Sequence, residues 1–369
     1  MRLLFITILT IMTIQTSIGQ PYLFVGCYTD KDSKGIYTYH FNTTTGDFNS
    51  VGSILSESAS YLAITPDGSS FFSVDEAGGK TPGGVNAFSF DPDSGELEFN
   101  NKQPSHGDHP CHVSIDKTNK WVAVANYSGG NFSIYPLRSD GYLGAAAQTI
   151  QHSGRSVDRE RQDKPYGHAA VFTPDNRFLV LVDLGIDKLM IHAFDPSKEK
   201  PLNEKATEVK TTPGAGPRHI VFHEQLPFAY VIEEMLGYVD VYQYGNGNLT
   251  PLQRINSHPP GFKGEIASAA IRISPDGRFL YASNRGESNT IAIFSINQQS
   301  GRLESVGFQK SGGEWPRDIL IDPTGNFLLA ANVKTNNIAI FKRDKQTGLL
   351  QPTGKEISVP KPVSMIILE

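Results

Sequence analysis

The 369-residue chain contains little cysteine and little net charge, and each scarcity excludes a class of protein. Cys27 and Cys111 are its only cysteines, too few for a disulfide framework or for a structural zinc site, which usually takes four thiolate or imidazole ligands. We interpret both as small strand hydrophobes. The formal net charge is −5 and no basic tract stands out, so we expect neither nucleic acid nor an anionic membrane surface as a partner.

Long apolar runs are also missing beyond the first residues. Arg2 precedes a short apolar segment, Leu3 to Ile14, and Ser17-Ile18-Gly19 offers small residues for cleavage before Gln20. We predict that residues 1–19 are a secretory signal peptide; a buried helix or an uncleaved anchor is the alternative. No other segment approaches membrane-spanning length. Residues 20–369 are therefore expected to form a single exported domain, periplasmic or secreted, without membrane insertion after cleavage.

The usual catalytic motifs are absent as well. The sequence has no Gly-x-Ser-x-Gly nucleophile elbow, no His-Glu-x-x-His, no P-loop and no Rossmann glycine run. Gly78-Gly79 and Gly83-Gly84 are typical of hairpin turns and have no helix after them, which argues against a phosphate cradle there. Any chemistry must come from side chains that the fold gathers from distant positions.

What the chain does contain is a phrase repeated about every 50 residues: a tight turn, an apolar strand and a polar last residue. The clearest copies are 274–284 and 322–332, looser ones are 65–75, 116–126 and 173–183, and a degenerate one is 223–233. In each unit a second alternating strand, a glycine turn and an outer strand follow. The period is two, which indicates strands rather than helices.

The two ends of the chain supply a seventh unit. Tyr22 to Thr29 is an apolar strand with no turn phrase before it, and Pro362 to Leu368 is a strand with nothing after it. We therefore predict an all-β fold, a seven-bladed β-propeller closed by pairing of the N- and C-terminal strands in one blade. A β-helix would have shorter rungs, and a β-sandwich would not repeat.

In a propeller the first strand of each blade lines the channel, so polar residues at strand ends reach one funnel. Four such residues on successive blades are candidate catalytic residues: His168, Arg218, Glu234 and Arg285. Further candidates at equivalent strand starts, for substrate binding, are His112, His219 and Arg317. The strand-end Asn126, Asp183, Asn284 and Asn332 recur in most units, which favours a structural role for them.

The four candidate residues indicate anion binding and proton transfer. Two arginines offer planar donor forks for a carboxylate, a phosphate or a developing oxyanion. Glu234 or His168 is expected to accept a proton from water or from a carbon acid, and the pattern leaves open which of them does so. A lone inward histidine is more often a hydrogen-bonded wall residue. Charges near a closed channel, however, need one another or an anionic ligand.

Several phrases occur in a fixed order along nearly all of the mature chain: Phe24-Val-Gly-Cys-Tyr-Thr29, Pro110-Cys-His-Val-Ser114, Ala125-Asn-Tyr-Ser-Gly-Gly130, Arg161-Gln162, Asp183-Leu-Gly-Ile-Asp-Lys188, Gly216-Pro-Arg-His219, Ser283-Asn-Arg-Gly286 and Pro316-Arg-Asp318. With them the sequence resembles the bacterial lactonase family whose named activity is 6-phosphogluconolactonase, and its relative, the carboxy-cis,cis-muconate lactonizing enzyme. The resemblance implies a seven-bladed propeller, no obligatory metal or cofactor, and a site made of one His, two Arg and one Glu.

Those implied residues fall on His168, Arg218, Arg285 and Glu234. The charged loop 153–164 carries the matching Arg161 and Gln162, so we expect part of it to fold over the funnel and to contact substrate. Two departures from the family pattern stand beside these residues: Tyr166 replaces a histidine, and Glu233-Glu234-Met235 replaces Asn-Glu-Leu. Both changes touch neighbours of the site and put substrate choice in doubt.

Three functions follow as hypotheses. The first is a metal-independent hydrolase that opens a sugar-derived lactone. Its expected substrate is a small anionic, phosphorylated sugar lactone or, because export is predicted, an unphosphorylated aldonolactone. The second is a muconate-type lactonizing enzyme that uses the same residues. The third is a non-catalytic exported propeller that binds a saccharide or a protein, because a fold does not fix a function. Convergence of the four residues in one funnel would favour the enzymes.

Overall fold

The computed structural model describes residues 20–29 and 33–369, so the predicted signal peptide lies outside the described residues. Within them, 28 strands form seven four-stranded antiparallel sheets, the blades. No helix in this part of the chain has the length and apolar character needed to cross a membrane. The all-β, seven-bladed prediction is confirmed.

Each blade contains four strands, ordered from the channel outward. Blade 1 consists of β28 (Pro362–Leu368), β1 (Tyr22–Cys27), β2 (Gly35–Phe41) and β3 (Phe48–Leu55). Blade 2 consists of β4 (Leu62–Ile64), β5 (Ser70–Asp75), β6 (Gly84–Asp91) and β7 (Glu96–Pro104). Blade 3 consists of β8 (Pro110–Ile115), β9 (Trp121–Asn126), β10 (Asn131–Pro136) and β11 (Gln148–Gln151). Blade 4 consists of β12 (Gly167–Phe172), β13 (Phe178–Asp183), β14 (Lys188–Ala193) and β15 (Thr207–Lys210). Blade 5 consists of β16 (Pro217–Phe222), β17 (Phe228–Glu233), β18 (Tyr238–Gly245) and β19 (Asn248–Asn256). Blade 6 consists of β20 (Ser268–Ile273), β21 (Phe279–Asn284), β22 (Thr290–Ile296) and β23 (Leu303–Lys310). Blade 7 consists of β24 (Pro316–Ile321), β25 (Phe327–Asn332), β26 (Asn337–Arg343) and β27 (Leu350–Ser358).

The ring closes in blade 1 as predicted. The C-terminal β28 pairs antiparallel with β1, from Tyr22 opposite Leu368 to Cys27 opposite Pro362. The innermost strands β4, β8, β12, β16, β20, β24 and β28 contact one another in sequence around the channel. The pairing with β28 covers the inner edge of β1, and exposed strand edges are the usual aggregation hazard of sheets.

The hydrophobic core is divided among the seven blade interfaces. Each apolar cluster joins the facing sides of two neighbouring blades; between blades 7 and 1, for example, Phe41 packs edge-on against Phe327 with ring centroids 5.9 Å apart. The other six clusters repeat this arrangement around the ring. Both cysteines are buried free thiols, as expected for small strand hydrophobes.

The repeated turn phrase connects the first and second strands of a blade. Its fourth residue adopts a left-handed backbone, with φ of 72° at Gly68, 53° at Asn119, 54° at Asn176, 68° at Gly277 and 70° at Gly325. Glycine and asparagine tolerate this region, and other residues rarely do. The turn chemistry therefore explains the repeated Gly or Asn. These turns come after the inner strands, whereas the predicted site lies where the inner strands start. The turns are therefore at the opposite end of the channel from the predicted site.

Candidate functional site

Two rings of residues face the mouth of the channel, and the first arises from the ends of the second strands. In each blade the residue directly after that strand donates its backbone N–H to a carbonyl in the loop leading to the inner strand, at 2.8 to 3.2 Å. We call these residues the strand-end ring: Tyr28, Glu76, Tyr127, Leu184, Glu234, Arg285 and Val333.

The second ring arises from β-bulges at the start of the inner strands. In blades 3, 4, 5 and 7, one residue of the inner strand has no partner in the neighbouring strand: Cys111, His168, Arg218 and Arg317, respectively. Blade 6 has a similar irregularity at Ala269 and Ala270, and blade 1 has one at Val363. A bulge redirects a side chain, and these residues form the bulge ring.

Glu234, a member of the strand-end ring, contacts residues of both rings. Its Oε1 lies 2.6 Å from Nη2 of Arg161, and its Oε2 lies 2.9 Å from Nη2 of Arg285 and 3.2 Å from Nε of Arg218. Nε2 of His168 is 3.9 Å from the same Oε2. The structure therefore brings together all four predicted catalytic residues and Arg161 of the charged loop.

The two buried arginines are held by backbone carbonyls. Arg285 donates Nε to Ala267 O at 3.0 Å and Nη2 to Ser268 O at 3.1 Å, and Arg218 donates Nη1 to Ala269 O at 2.7 Å. These bonds fix the guanidinium planes before any ligand arrives, which is the arrangement that preorganised electrostatic stabilisation requires.

A second charged group lies next to the first. Nη2 of Arg317 is 3.7 Å from Oε2 of Glu76, and the Tyr28 hydroxyl donates to the same carboxylate at 3.3 Å. The Arg317 guanidinium also lies over the Tyr28 ring, 5.4 Å from its centroid. Arg285 lies 5.2 Å from the ring centroid of Trp315. Among the described residues, the mouth thus combines four guanidinium groups with two carboxylates.

The pKa directions follow from this charge excess. Burial opposes ionisation of Glu234, but Arg285 and Arg218, with His168 and Arg161, outweigh it and hold the pKa of Glu234 far below its ordinary value. Burial, followed by the charge of Arg218, lowers the pKa of His168 well below 6.5. At neutral pH the carboxylate is charged and the imidazole is neutral.

Two predicted substrate-binding histidines lie deeper in the channel. His112 stacks on Tyr61 with ring centroids 4.2 Å apart, and His219 meets both rings at 5.6 Å. His219 also lies 5.2 Å from the His168 ring. The buried His112 and His219 and the half-buried Tyr61 form a layer beneath the charged mouth, and a role in substrate binding stays a prediction for both histidines.

Loop 153–164 contributes one side chain to the mouth. Arg161 reaches Glu234, and its Nη2 also lies 3.4 Å from the Tyr127 hydroxyl. Gln162 is fully buried and donates Nε2 to Leu184 O at 2.8 Å, while its Oε1 accepts from the backbone of Asp158. Its amide therefore anchors the loop, and its predicted substrate contact stays a prediction.

The two departures from the family pattern have different positions. Tyr166 packs on Tyr127, with ring centroids 4.9 Å apart, and its hydroxyl donates to Asp163 at 2.9 Å, so it supports the loop. Glu233 points away from the mouth and forms a bidentate pair with Arg254 at 2.9 and 2.6 Å. Of the two, only Tyr166 borders the site.

Sequence reasoning missed Tyr28, Glu76, Tyr127 and Trp315. A signal for the first three was available, because each follows the last residue of a second strand, as Glu234 follows Glu233. Trp315 immediately precedes Pro316 and Arg317. The strand-end Asn and Asp residues instead hold loops, as expected: Asn126 donates to Ser105 O at 2.9 Å and Asn332 to Ser311 O at 3.0 Å.

Fold and site together define a class: a closed seven-bladed propeller whose channel mouth presents preorganised guanidinium groups around one carboxylate and one neutral imidazole. In residues 20–29 and 33–369, no cluster of three or more His, Cys, Asp or Glu side chains is arranged to hold a metal ion. The family model for the lactonases with a 7-bladed β-propeller matches residues 22–367. The chain belongs to this family.

Individual relatives are similar to this chain over almost its whole length. The chain is 38% identical over 355 residues to a 6-phosphogluconolactonase of Bacillus subtilis, covering 94% of this chain and 97% of the relative. It is 39% identical over 345 residues to a 6-phosphogluconolactonase of Formosa agariphila, covering 91% and 96%. The solved structure of a periplasmic gluconolactonase of Pseudomonas aeruginosa superposes with a TM-score of 0.90 at 33% identity, covering 95% and 99%.

Proposed function

We propose that this protein is a metal-independent lactonase that hydrolyses the ring ester of a sugar-derived lactone. The observation that carries the proposal is the convergence of Arg218, Arg285, His168 and Glu234 at one channel mouth. Such convergence favours an enzyme over a binding platform. Relatives named as lactonases at 38% and 39% identity support it.

The arginines bind and polarise the substrate. Among the described residues, four guanidinium groups face two carboxylates, so these side chains together carry an excess of two positive charges (4 − 2). An anionic substituent or the lactone carbonyl oxygen replaces part of the contact with Glu234. Negative charge that develops on this oxygen in the tetrahedral intermediate then lies against donors that are already in place.

We assign the activation of water to His168, assisted by Glu234. Both oxygens of Glu234 contact guanidinium groups, which makes this carboxylate a poor proton acceptor. His168 is neutral, so it accepts the proton of the attacking water, and the nearby Glu234 stabilises the imidazolium as it forms. The ring C–O bond breaks, His168 returns the proton to the departing alkoxide, and the product is an open-chain hydroxy acid.

For the substrate we propose an unphosphorylated aldonolactone met outside the cytoplasm, with the phosphorylated lactone as the alternative. The predicted signal peptide supports export, since a phosphorylated sugar lactone is a cytoplasmic metabolite. The Pseudomonas relative, at 33% identity, is named as a periplasmic gluconolactonase. Cell fractionation checks the location, and recovery of the protein only in the cytoplasm would contradict it.

The test is an initial-rate assay of purified protein with glucono-1,5-lactone and with its 6-phosphate, each corrected for spontaneous hydrolysis. We expect acceleration with at least the plain lactone, and a loss of about 10²–10³-fold in kcat for Arg285→Lys, because a shorter ammonium cannot replace the fork. The control is Arg159→Ala, an exposed arginine on loop 153–164. If the wild-type protein accelerates the hydrolysis of neither lactone, the proposal is overturned.

A further inference from the structure

Cys111 is a buried thiol that lies beside the proposed base and that the proposed mechanism does not use. It is the bulge-ring residue of blade 3 and is 4% exposed. Its Sγ lies 3.6 Å from the carbonyl oxygen of Gly167, 3.6 Å from that of His168 and 3.9 Å from Nδ1 of the His168 ring. Cys27, the other cysteine, packs among apolar side chains between blades 7 and 1. Of the two thiols, Cys111 is the one placed to act on the imidazole.

The thiol is protonated at neutral pH, and its proton points to a backbone carbonyl. Burial, with the charge of Glu76 second, raises the pKa of Cys111 above its ordinary value. A thiol has one proton to donate, and the carbonyl oxygens of Gly167 and His168, which can only accept it, are nearer to the sulfur than Nδ1 is. The sulfur therefore presents a lone pair to Nδ1 of His168. This arrangement favours an N–H group at Nδ1.

The second ring nitrogen of His168 faces the mouth. Nε2 lies 3.9 Å from Oε2 of Glu234, which is too far for a direct N–H···O bond. That oxygen already contacts Arg285 at 2.9 Å and Arg218 at 3.2 Å. Sulfur accepts hydrogen bonds over longer distances than oxygen because its radius is larger, so 3.9 Å is within reach of Sγ. The single proton of the neutral imidazole is therefore better held at Nδ1, and Nε2 keeps its lone pair.

We propose that Cys111 is a positioning residue: it holds His168 in the tautomer with the proton on Nδ1, so that Nε2 serves as the base. Its effect on catalysis rests on the proposed lactone hydrolysis, whereas the tautomer exists with or without that reaction. The attacking water transfers its proton to Nε2, and the Nδ1 proton stays in place. The imidazolium then donates to the sulfur on one side and faces Glu234 on the other, until Nε2 returns the proton to the departing alkoxide.

The direct test is heteronuclear NMR of the His168 ring nitrogens at neutral pH, in protein with isotope-labelled histidine and with His168→Gln to identify the signals. We expect a protonated Nδ1 and an unprotonated Nε2 in the wild-type protein. Cys111→Ala should shift the ring toward the tautomer with the proton on Nε2, which free histidine prefers in water. Cys27→Ala removes the other buried thiol and should leave the His168 signals unchanged.

A kinetic test separates positioning from packing. Cys111→Ala should lower kcat for lactone hydrolysis about 5-fold, the equivalent of one neutral hydrogen bond, with little change in KM. Cys111→Ser should recover most of this loss, because a hydroxyl also donates once and accepts. Cys27→Ala leaves a gap of the same kind in the core and should keep the wild-type kcat. An equal fall of kcat in both alanine variants would assign the effect to packing and overturn the proposal.

The NMR measurement also decides independently of activity. A proton on Nε2 in the wild-type protein, or a tautomer that stays the same in Cys111→Ala, overturns the proposal. If the wild-type protein hydrolyses no lactone but shows the Nδ1–H tautomer that Cys111→Ala loses, the proposed function fails and the control of the tautomer by Cys111 is supported. Should Cys111→Ala fail to fold, Cys111→Val, which fills the space but cannot accept a hydrogen bond, decides in its place.

Discussion

Glu234 presents one oxygen to Arg161 and the other to Arg218 and Arg285. In the free protein it therefore competes with any anionic ligand for the same guanidinium groups. Glu234→Gln keeps the shape and removes the charge. We expect gluconate to bind about 10-fold more tightly by calorimetry, while kcat falls about 10²-fold or more because the imidazolium loses its counter-charge.

An exposed carboxylate near the mouth supplies the control for this prediction. Glu314→Gln changes the net charge equally but removes no contact with the three arginines, so its gluconate affinity and kcat should match those of the wild type. Weaker gluconate binding by Glu234→Gln would show that Glu234 contacts the ligand directly instead of competing with it.

The low pKa of His168 sets the expected pH profile. A depressed pKa keeps the imidazole neutral as the pH falls, so the acid limb of kcat/KM should lie well below pH 6.5. Arg218→Gln removes a charge that disfavours the imidazolium, so it should move this limb upward. Glu234→Gln removes the charge that favours it and should move the limb further down. A limb near pH 6.5 that ignores both substitutions would exclude His168 as the titrating base.

Loop 153–164 is the element that adds charge to the mouth from outside the blades. Ser156 donates to Asp187 at 2.5 Å and Lys164 to Ser128 O at 2.6 Å, so both ends of the loop are anchored while Arg161 between them reaches Glu234. Its side chain is 47% exposed, and solvent screens the pair.

We therefore expect Arg161→Ala to raise KM by about 2- to 5-fold, with a smaller effect on kcat. The difference from the wild type should shrink when KM is measured at high salt, since exposed charges are screened. Arg159→Ala on the same loop should leave KM unchanged. A large fall in kcat with unchanged KM would instead place Arg161 in the chemical step.

The strands were predictable from sequence, and the bulges between them were not. Period-two alternation and the turn phrase identified the second strands, and with them Glu234 and Arg285 at their ends. The positions of His168, Arg218 and Arg317 were recognised as strand starts, but the side-chain direction there depends on an unpaired residue that propensity does not encode. Glu76 and Tyr28 were missed although they follow the ends of second strands as Glu234 does, and their contact with Arg317 of a different blade is not visible in the sequence.

The specific long-range contacts were likewise not visible in the sequence. The resemblance predicted that part of loop 153–164 folds over the funnel, but not that Arg161, on a loop between blades 3 and 4, pairs with Glu234 of blade 5. Contacts between distant elements depend on how the strands and loops are arranged in the fold, and the local sequence pattern does not specify this arrangement.

At the scale of the whole molecule, stability depends on the closure of the ring by β28. This strand supplies the buried Val363 and Met365, the backbone of Met365 donates to Asp318 at 2.9 Å, and the Ser364 hydroxyl accepts from the backbone of Leu62 at 3.2 Å. The C-terminal end thus contacts blades 1, 2 and 7. Its removal would expose β1 as an unpaired inner edge and open two apolar interfaces.

We expect deletion of residues 361–369 to lower the melting temperature sharply and to cause oligomers through the exposed edge, as measured by calorimetry and size-exclusion chromatography. Deletion of Glu369 alone, outside β28, is the control. A synthetic peptide of residues 360–369 should restore a monomer and lactone hydrolysis, because strand addition rebuilds the missing hydrogen bonds. A truncated protein that stays monomeric, stable and active would mean that the seven blade interfaces hold the ring without the C-terminal strand.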